Sequence, residues 1–182
     1  PLGVVGVIAP WNFPVNMVFA PLAGVLAAGN RAMIKPSEFT PATSEVLSEM
    51  ISEAYDTNEV ALFTGGPEVG QAFSGLAFDH MIFTGATSIA RHIMAAASRN
   101  LVPVTLELGG KSPQLVFEDA NLDAALPFLV NAGLQNAGQT CSAASRILVE
   151  RRIHDALLSR MADRYRALRT GPAVADLEVG PL

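Results

Sequence analysis

Two side chains have the types that covalent catalysis requires, the thiol of Cys141 and the carboxylate of Glu107. Cys141 follows the small and polar run Asn-Ala-Gly-Gln-Thr, which predicts an accessible sulfur. Because a free thiol is mostly protonated near pH 7, a cysteine that attacks a substrate needs a base or a depressed pKa. Glu107 is the available base. The alternative is a buried cysteine that only packs as a small hydrophobe.

The sequence around Glu107 predicts that it lies at a strand end. An apolar run from Val102 to Leu106 precedes it, and Leu-Gly-Gly-Lys-Ser-Pro follows it. We therefore expect the strand to end at Leu106, with the carboxylate just beyond. The glycines Gly109 and Gly110 would let other atoms approach closely.

Strand-like and helical patterns alternate along the first part of the chain. Five strand-like runs cover residues 3–9, 32–35, 60–64, 81–84 and 102–106. Short connections between alternating strands and helices predict a parallel sheet with helices on both faces. The expected fold class is α/β, a Rossmann-like parallel sheet followed by the start of a second α/β domain. No G-x-G-x-x-G follows the first strand, so the usual dinucleotide fingerprint is absent.

Several local patterns predict where individual helices begin and end. Gly29-Asn30 is expected to end the first helix, and Thr40 is expected to be the N-cap of the second. The second helix is expected to bury an apolar stripe made of Val46, Leu47, Met50, Ile51 and Ala54. Pro127 is expected to break or kink a helix that begins at Asn121. The glycines between residues 65 and 70 precede a third helix, whose N-terminus could receive a phosphate.

Composition excludes several classes of protein. The 182 residues are 50% hydrophobic and 16% charged, which is sufficient for a buried core. A net charge of −5 without basic runs argues against nucleic-acid and membrane-surface partners. A single cysteine cannot form an internal disulfide, and the apolar stretches are too short to cross a membrane, so a soluble cytoplasmic protein is expected. The three histidines lack ligand spacing, so no metal site is expected.

Both ends of the chain suggest a piece of a longer protein. The sequence opens at Pro1 without a methionine and stops at Glu-Val-Gly-Pro-Leu with no closing element. We therefore expect an internal segment.

Five motifs in order make the chain resemble the NAD(P)-dependent aldehyde dehydrogenase superfamily. They are Pro10-Trp11-Asn12-Phe13-Pro14, Lys35-Pro36-Ser37-Glu38, Phe83-Thr84-Gly85, Leu106-Glu107-Leu108-Gly109-Gly110-Lys111 and Gly138-Gln139-Thr140-Cys141. The resemblance covers essentially the whole chain. Within the superfamily, Gly85-Ala86-Thr87-Ser88 and Asn100-Leu101-Val102-Pro103 resemble the coniferyl aldehyde dehydrogenase branch.

The resemblance implies a role for each catalytic residue. Cys141 is the nucleophile that forms a thiohemiacetal with an aldehyde. The amide of Asn12 and the backbone N–H of Cys141 bind the oxyanion, and Glu107 activates the water that hydrolyses the thioester. Residues 1–108 are accordingly a partial dinucleotide-binding domain, and residues 109–182 are a partial catalytic domain that carries Cys141.

The resemblance also implies NAD as the cofactor, with NADP as the alternative. The implied cofactor-binding residues are Trp11, Lys35, Ser37, Glu38, Gly66, Gly70, Phe83, Gly85, Ala86 and Leu108. Lys35 and Glu38 would hold the adenosine ribose. Ala86 and Ala90 stand where the family often has Ser and Gly, which removes a hydroxyl contact with phosphate. The implied partners are a small-molecule aldehyde and, for the full-length parent, further copies in a homo-oligomer.

Three alternative functions fit these residues less well. A cysteine thioesterase or hydrolase needs no dinucleotide and leaves Lys35 and Glu38 unexplained. A non-catalytic member of the superfamily has no use for Cys141 and Glu107. A reductive relative acting on acyl phosphates also has a catalytic cysteine, but the motif around Glu107 favours attack by water. The identity of the aldehyde is left open.

Overall fold

The computed structural model describes residues 1–180. The chain divides into two compact units, Pro1–Leu108 (unit 1) and Gly109–Leu182 (unit 2). The assignment of these units to dinucleotide binding and catalysis stays a prediction.

Unit 1 is a five-stranded parallel sheet with four α-helices. Its elements are β1 (Val4–Ile8), α1 (Asn16–Ala27), β2 (Arg31–Lys35), α2 (Pro41–Ala54), β3 (Val60–Leu62), α3 (Pro67–Ser74), β4 (His80–Gly85), α4 (Thr87–Ala97) and β5 (Val104–Leu108). The strand order is β3-β2-β1-β4-β5, and all four pairings are parallel. The expected α/β fold class is confirmed.

The two faces of this sheet bury separate hydrophobic clusters. Successive side chains of a strand point to opposite faces, and side chains in register on parallel neighbours share a face. One cluster joins Val5, Val7 and Ile34 to α1 and α2. The other joins Met81 and Phe83 to α3 and α4. Burial on both faces explains why the strands are apolar runs without alternation.

The end of α1 follows the prediction from Gly29-Asn30. Gly29 has a φ of 75°, and its N–H donates to the carbonyl of Leu26 at 2.8 Å while Asn30 N–H donates to that of Val25 at 3.0 Å. This is the Schellman arrangement, which favours glycine at the left-handed position.

Helix α2 differs from its prediction in two respects. Thr40 is at the N-cap position, but its hydroxyl makes no cap bond and donates instead to the Ser37 carbonyl at 3.5 Å. The expected buried stripe is wrong at Val46, Met50 and Ala54, which are exposed. The residues of this helix that are buried are Ser44, Leu47 and Ile51. These three residues are spaced three and four apart, so they lie on one face of the helix. Val46, Met50 and Ala54 are rotated away from the sheet.

Unit 2 contains a pair of parallel strands and two longer helices. Its elements are β6 (Ser112–Val116), α5 (Leu122–Leu134), β7 (Ala144–Val149) and α6 (His154–Arg166), with short 3₁₀ segments at Gln135–Gly138, Arg151–Ile153 and Ala173–Ala175. Strands β6 and β7 pair in parallel. The cluster beneath them contains Val116, Leu129, Val130, Leu157 and Met161.

Helix α5 begins where the sequence predicts but passes through its proline. The side chain of Asn121 accepts the N–H of Ala124 at 3.1 Å, which caps the helix. Of the two outcomes expected at Pro127, a break or a kink, the break is wrong, since α5 continues to Leu134. A proline in a helix removes the bond to the carbonyl four residues earlier, here that of Asp123. Pro127 and Asp123 are both exposed, so the missing bond lies on the solvent-facing side of α5.

Candidate active site

Strand register brings most of the candidate residues of unit 1 to one edge of the sheet. Ile8 is level with both Lys35 and Phe83, and Gly85 is level with Leu108. The segments that follow β1, β2, β4 and β5 therefore leave the sheet close together, at its carboxyl edge. Parallel α/β sheets bind ligands at this edge, where the strand order reverses. In unit 1 that reversal lies between β1 and β4.

Trp11 and Asn12 lie in the bend that follows β1. Trp11 is 45% exposed, so it is not part of the core formed by residues 1–180. Asn12 is half-buried. Both side chains are therefore at the carboxyl edge, beside the point of strand reversal.

The end of β2 holds a buried lysine. Lys35 is 2% exposed, and its Nζ donates to the Pro36 carbonyl at 2.7 Å and to Glu38 Oε2 at 3.3 Å. A buried ammonium is costly unless it is paired and hydrogen-bonded, and both conditions are met here. The Glu38 side chain is 33% exposed. The pair thus presents a carboxylate at the surface, with its cation beneath.

Ser37 is mainly a structural part of this turn. It is 8% exposed, its Oγ accepts the N–H of Phe39 at 3.3 Å, and its carbonyl accepts the hydroxyl of Ser44 at 3.2 Å. These bonds tie the turn to α2. A contact between Ser37 and a cofactor stays a prediction.

The N-terminus of α4 offers free backbone donors to an anion. Its N-cap, Ala86, makes no side-chain cap bond, and no acidic residue lies in the first turn. The first N–H groups of a helix lack intrahelical partners, and the helix dipole favours negative charge there. This helix end therefore suits a phosphate, even without the hydroxyl that a serine at Ala86 would add.

The turn before α4 is supported by an aromatic ring. Phe83 is 4% exposed, and a Cβ placed on Gly85 would lie 2.6 Å from its Cζ. Gly85 is thus required by close approach of the ring to the backbone. Because the ring is in the core, any contact of Phe83 with a cofactor would involve its backbone.

The N-terminus of α3 is already paired with a carboxylate. Gly66 is its N-cap, and the Gly66 N–H donates to Glu68 Oε1 at 3.2 Å. An anion at this end would compete with Glu68, which distinguishes α3 from α4. Gly70 lies within α3 and has open space where a Cβ would be.

Glu107 lies within β5, so the expectation of a strand ending at Leu106 is wrong. Glu107 is level with Thr84 of β4, and pairing continues to Leu108. Alternation turns Leu106 and Leu108 towards the hydrophobic cluster and leaves Glu107 exposed on the other face. The carboxylate is therefore fixed by a paired strand one residue from its end.

In unit 2, Cys141 lies in a turn between α5 and β7 and is exposed, as the sequence predicts. The Ala143 N–H donates to the Thr140 carbonyl at 3.0 Å, which closes a turn around Cys141 and Ser142. The thiol is accessible to a small electrophile.

Sequence reasoning missed the conformation that precedes this turn. Asn136, Ala137 and Gly138 have φ values of 52°, 56° and 81°, three left-handed residues in succession. Asn and Gly commonly adopt this conformation, so the Asn and the Gly two residues apart were the available signal in the sequence. The alanine between them rarely adopts it.

A groove of about 910 Å³ runs along α5 and α6 and includes residues of the left-handed turn in its lining. Gln114 Oε1 is buried in this part of unit 2 without a hydrogen-bond partner. Among residues 1–180, Cys141 is not part of the lining of this groove. The groove is therefore not assigned to a substrate.

Residues 1–180 contain neither a membrane-spanning helix nor a cluster of metal-ligating side chains. No helix in this range is both long and apolar enough to cross a membrane. The same residues contain no group of three or more histidine, cysteine, aspartate or glutamate side chains arranged to hold a metal ion.

These features define a parallel α/β protein with candidate ligand-binding residues at a sheet edge and an accessible thiol in a second unit. The model described as the aldehyde dehydrogenase family matches residues 1–182, and the chain belongs to this family.

Similar proteins and structures include coniferyl aldehyde dehydrogenases, which confirms the resemblance to that branch. A probable coniferyl aldehyde dehydrogenase of Caulobacter vibrioides is 66% identical over 81% of this chain and 30% of its own length. The coniferyl aldehyde dehydrogenase of Pseudomonas sp. is 49% identical over 94% of this chain and 37% of its own length. The betaine aldehyde dehydrogenase of Staphylococcus aureus in complex with NAD⁺ is 38% identical, with a TM-score of 0.94 over all of this chain and 37% of that one. The chain thus spans about a third of the length of these proteins.

Proposed function

We propose that the complete protein carrying this chain oxidises an aldehyde to a carboxylic acid with NAD as the hydride acceptor. The observation that carries the proposal is the exposed thiol of Cys141 in a chain of this family. Coniferyl aldehyde is the first substrate to test, because two similar relatives bear its name. The proposal also includes a homo-oligomer and a cytoplasmic location; a reducing compartment keeps the Cys141 thiol free to react.

Cys141 and Asn12 carry out the first step in this proposal. The Cys141 sulfur attacks the aldehyde carbonyl and forms a thiohemiacetal, whose oxygen bears the developing negative charge. The Asn12 amide and the Cys141 backbone N–H donate to that oxygen. One such donor contributes about 3 to 4 kcal/mol in other enzymes.

Glu107 acts in the second step. Loss of a hydride converts the thiohemiacetal into a thioester on Cys141, and water must then break the carbon–sulfur bond. The Glu107 carboxylate takes a proton from that water, the acid is released and the thiolate returns. Exposure of Glu107 on a paired strand supports this role, since a base needs both access to water and a fixed position.

The residues at the carboxyl edge fit a dinucleotide. The uncapped end of α4 at Gly85 and Ala86 suits a pyrophosphate, and the Lys35–Glu38 pair suits ribose hydroxyls. When bound, the nicotinamide would supply the hydride acceptor. Trp11, Ser37, Gly66, Gly70, Phe83 and Leu108 complete the proposed cofactor-binding set.

Rapid-mixing kinetics on the complete protein tests the two catalytic roles separately. Cys141→Ala should abolish the NADH burst and steady-state turnover while NAD still binds, because no covalent intermediate can form. Glu107→Gln should retain a stoichiometric burst while turnover falls by roughly 10² to 10⁴, the usual contribution of a general base. Glu53→Gln, which alters an exposed helix carboxylate, is the matched control and should change neither.

Turnover by Cys141→Ala would show that the nucleophile is wrongly assigned. A burst and turnover both intact in Glu107→Gln would remove Glu107 as the base. If Glu107 also activates the thiol, the burst in Glu107→Gln should itself be slower.

A further inference from the structure

The segment before Cys141 has an unfavourable backbone conformation that something must stabilise. Asn136, Ala137 and Gly138 are all left-handed. This conformation is unfavourable for a residue with a Cβ, although asparagine tolerates it better than alanine, and glycine adopts it freely. The strain therefore rests on Asn136 and above all on Ala137.

Two amide side chains close a ring of hydrogen bonds around this strained segment. The backbone N–H and the Nε2 of Gln139 both donate to the Asn136 carbonyl, at 3.1 and 3.0 Å. In return, Asn136 Nδ2 donates to the Gln139 carbonyl at 3.4 Å. We call these reciprocal bonds the amide clamp. Each amide side chain bonds the other residue's backbone, so the clamp spans Ala137 and Gly138 from both sides.

The amide clamp connects directly to the turn that carries the thiol. The Thr140 hydroxyl donates to the Gln135 carbonyl at 3.1 Å, and the Thr140 carbonyl accepts the Ala143 N–H at 3.0 Å. Cys141 is therefore attached to the clamp on one side and to β7, which begins at Ala144, on the other. Because Cys141 is exposed, side-chain packing contributes little to its direction, and the backbone has to fix it.

We propose that Asn136 and Gln139 are positioning residues for Cys141, and that the amide clamp holds the sulfur in the direction required to attack a bound carbonyl. The inference rests on the proposed function, in which Cys141 is the nucleophile. Without the clamp, the left-handed residues relax to less strained conformations and the sulfur moves. A displacement of about 1 Å from the productive geometry costs a reaction on the order of 10²-fold in rate.

The test compares Gln139→Met with Gln135→Met in the complete protein. Gln139→Met keeps the length of the side chain and removes its donor. Gln135→Met is the matched control, since Gln135 enters the network through its backbone carbonyl. Three quantities are measured: the NADH burst rate with its dependence on aldehyde concentration, the rate of Cys141 alkylation by iodoacetamide across pH, and the melting temperature.

If the amide clamp positions the sulfur, Gln139→Met should affect the burst rate and the alkylation rate differently. The burst rate of Gln139→Met should fall by about 10 to 10² with little change in the half-saturating aldehyde concentration. Alkylation by the freely diffusing iodoacetamide should stay within a few-fold, because that reagent needs no fixed direction of attack. Gln135→Met should match the unchanged protein in all three quantities.

A burst rate in Gln139→Met within twofold of the unchanged protein would overturn the proposal. So would a parallel loss of burst, alkylation and melting temperature, which indicates a purely structural role. If Gln139→Met does not fold, Asn136→Asp removes the Nδ2 donor while retaining a residue that tolerates the left-handed conformation. The absence of any NADH formation from aldehyde by the unchanged protein would instead contradict the proposed function itself.

Discussion

The two units hold their candidate residues in different ways. In unit 1, Lys35 and Glu107 belong to paired strands, and strand register fixes their levels along the sheet. In unit 2, Cys141 lies in a turn that follows three left-handed residues stabilised by side-chain bonds. Backbone pairing between strands fixes a position without requiring a particular side chain there. The strained turn depends on the side chains of Asn136 and Gln139.

Unit 1 also contains a residue with a strained backbone, Leu101, but it lies at the opposite edge of the sheet from the candidate residues. Leu101 has a φ of 56° and lies just before β5, at the amino edge of the sheet. Its N–H donates to the Ser98 carbonyl at 3.2 Å, and Val102 N–H donates to that of Ala97 at 3.0 Å, so Leu101 occupies a helix-ending position where glycine is usual. Backbone strain alone therefore does not mark a functional site. Strain stabilised by the amide clamp beside an accessible thiol is the more specific signal.

The largest expected effect on stability concerns the turn at Gly85. Gly85→Ala places a Cβ against the buried ring of Phe83, at 2.6 Å from Cζ, and should destabilise the complete protein by about 1 to 3 kcal/mol. Gly70→Ala is the matched control, because it has open space and replaces a glycine within α3, and it should stabilise by about 0.5 to 1 kcal/mol. Urea denaturation of both variants measures the difference. Shifts of the same sign would contradict the close approach of Phe83 to Gly85.

The next effect concerns cofactor choice at the Lys35–Glu38 pair, in which only the lysine is buried. The complete protein should prefer NAD, since the Glu38 carboxylate repels the 2′-phosphate of NADP. Glu38→Gln removes the repulsion and releases Lys35 from its ion pair, so the NADP-to-NAD ratio of kcat/KM should rise. Two unit charges about 4 Å apart in water interact by about 1 kcal/mol, which corresponds to roughly fivefold in this ratio. Glu49→Gln on α2 is the control; an unchanged protein that already uses NADP as efficiently as NAD would refute the preference.

The smallest expected effect is that of Leu101→Gly, which tests whether the strained residue of unit 1 matters for the reaction. Leu101→Gly should stabilise the complete protein by about 0.5 to 1 kcal/mol, because glycine adopts the left-handed conformation freely and the 88% exposed leucine loses little burial. The NADH burst should not change. Thermal melting and rapid mixing test both statements, and a slower burst in Leu101→Gly would mean that strain near β5 also matters for the reaction.

Much of unit 1 was determined by local sequence. Apolar β-branched runs broken by helical patterns predicted the parallel sheet, and Gly29-Asn30 predicted the end of α1, because these signals depend on residues close together in the chain. The same local evidence predicted an accessible Cys141 from its small and polar neighbours. The family motifs also pointed to the aldehyde dehydrogenase family, to which the chain belongs.

Tertiary contacts decided the rest. The end of β5 depends on its partner β4, since pairing with Thr84 and Gly85 carries the strand past Leu106. Which apolar residues of α2 are buried depends on the angle at which the helix meets the sheet, a property that its own sequence does not contain. The sequence likewise gives no sign that Lys35 is enclosed. The left-handed run at Ala137 exists because hydrogen bonds from Asn136 and Gln139 outweigh an unfavourable local preference, and such a balance is decided only in the folded chain.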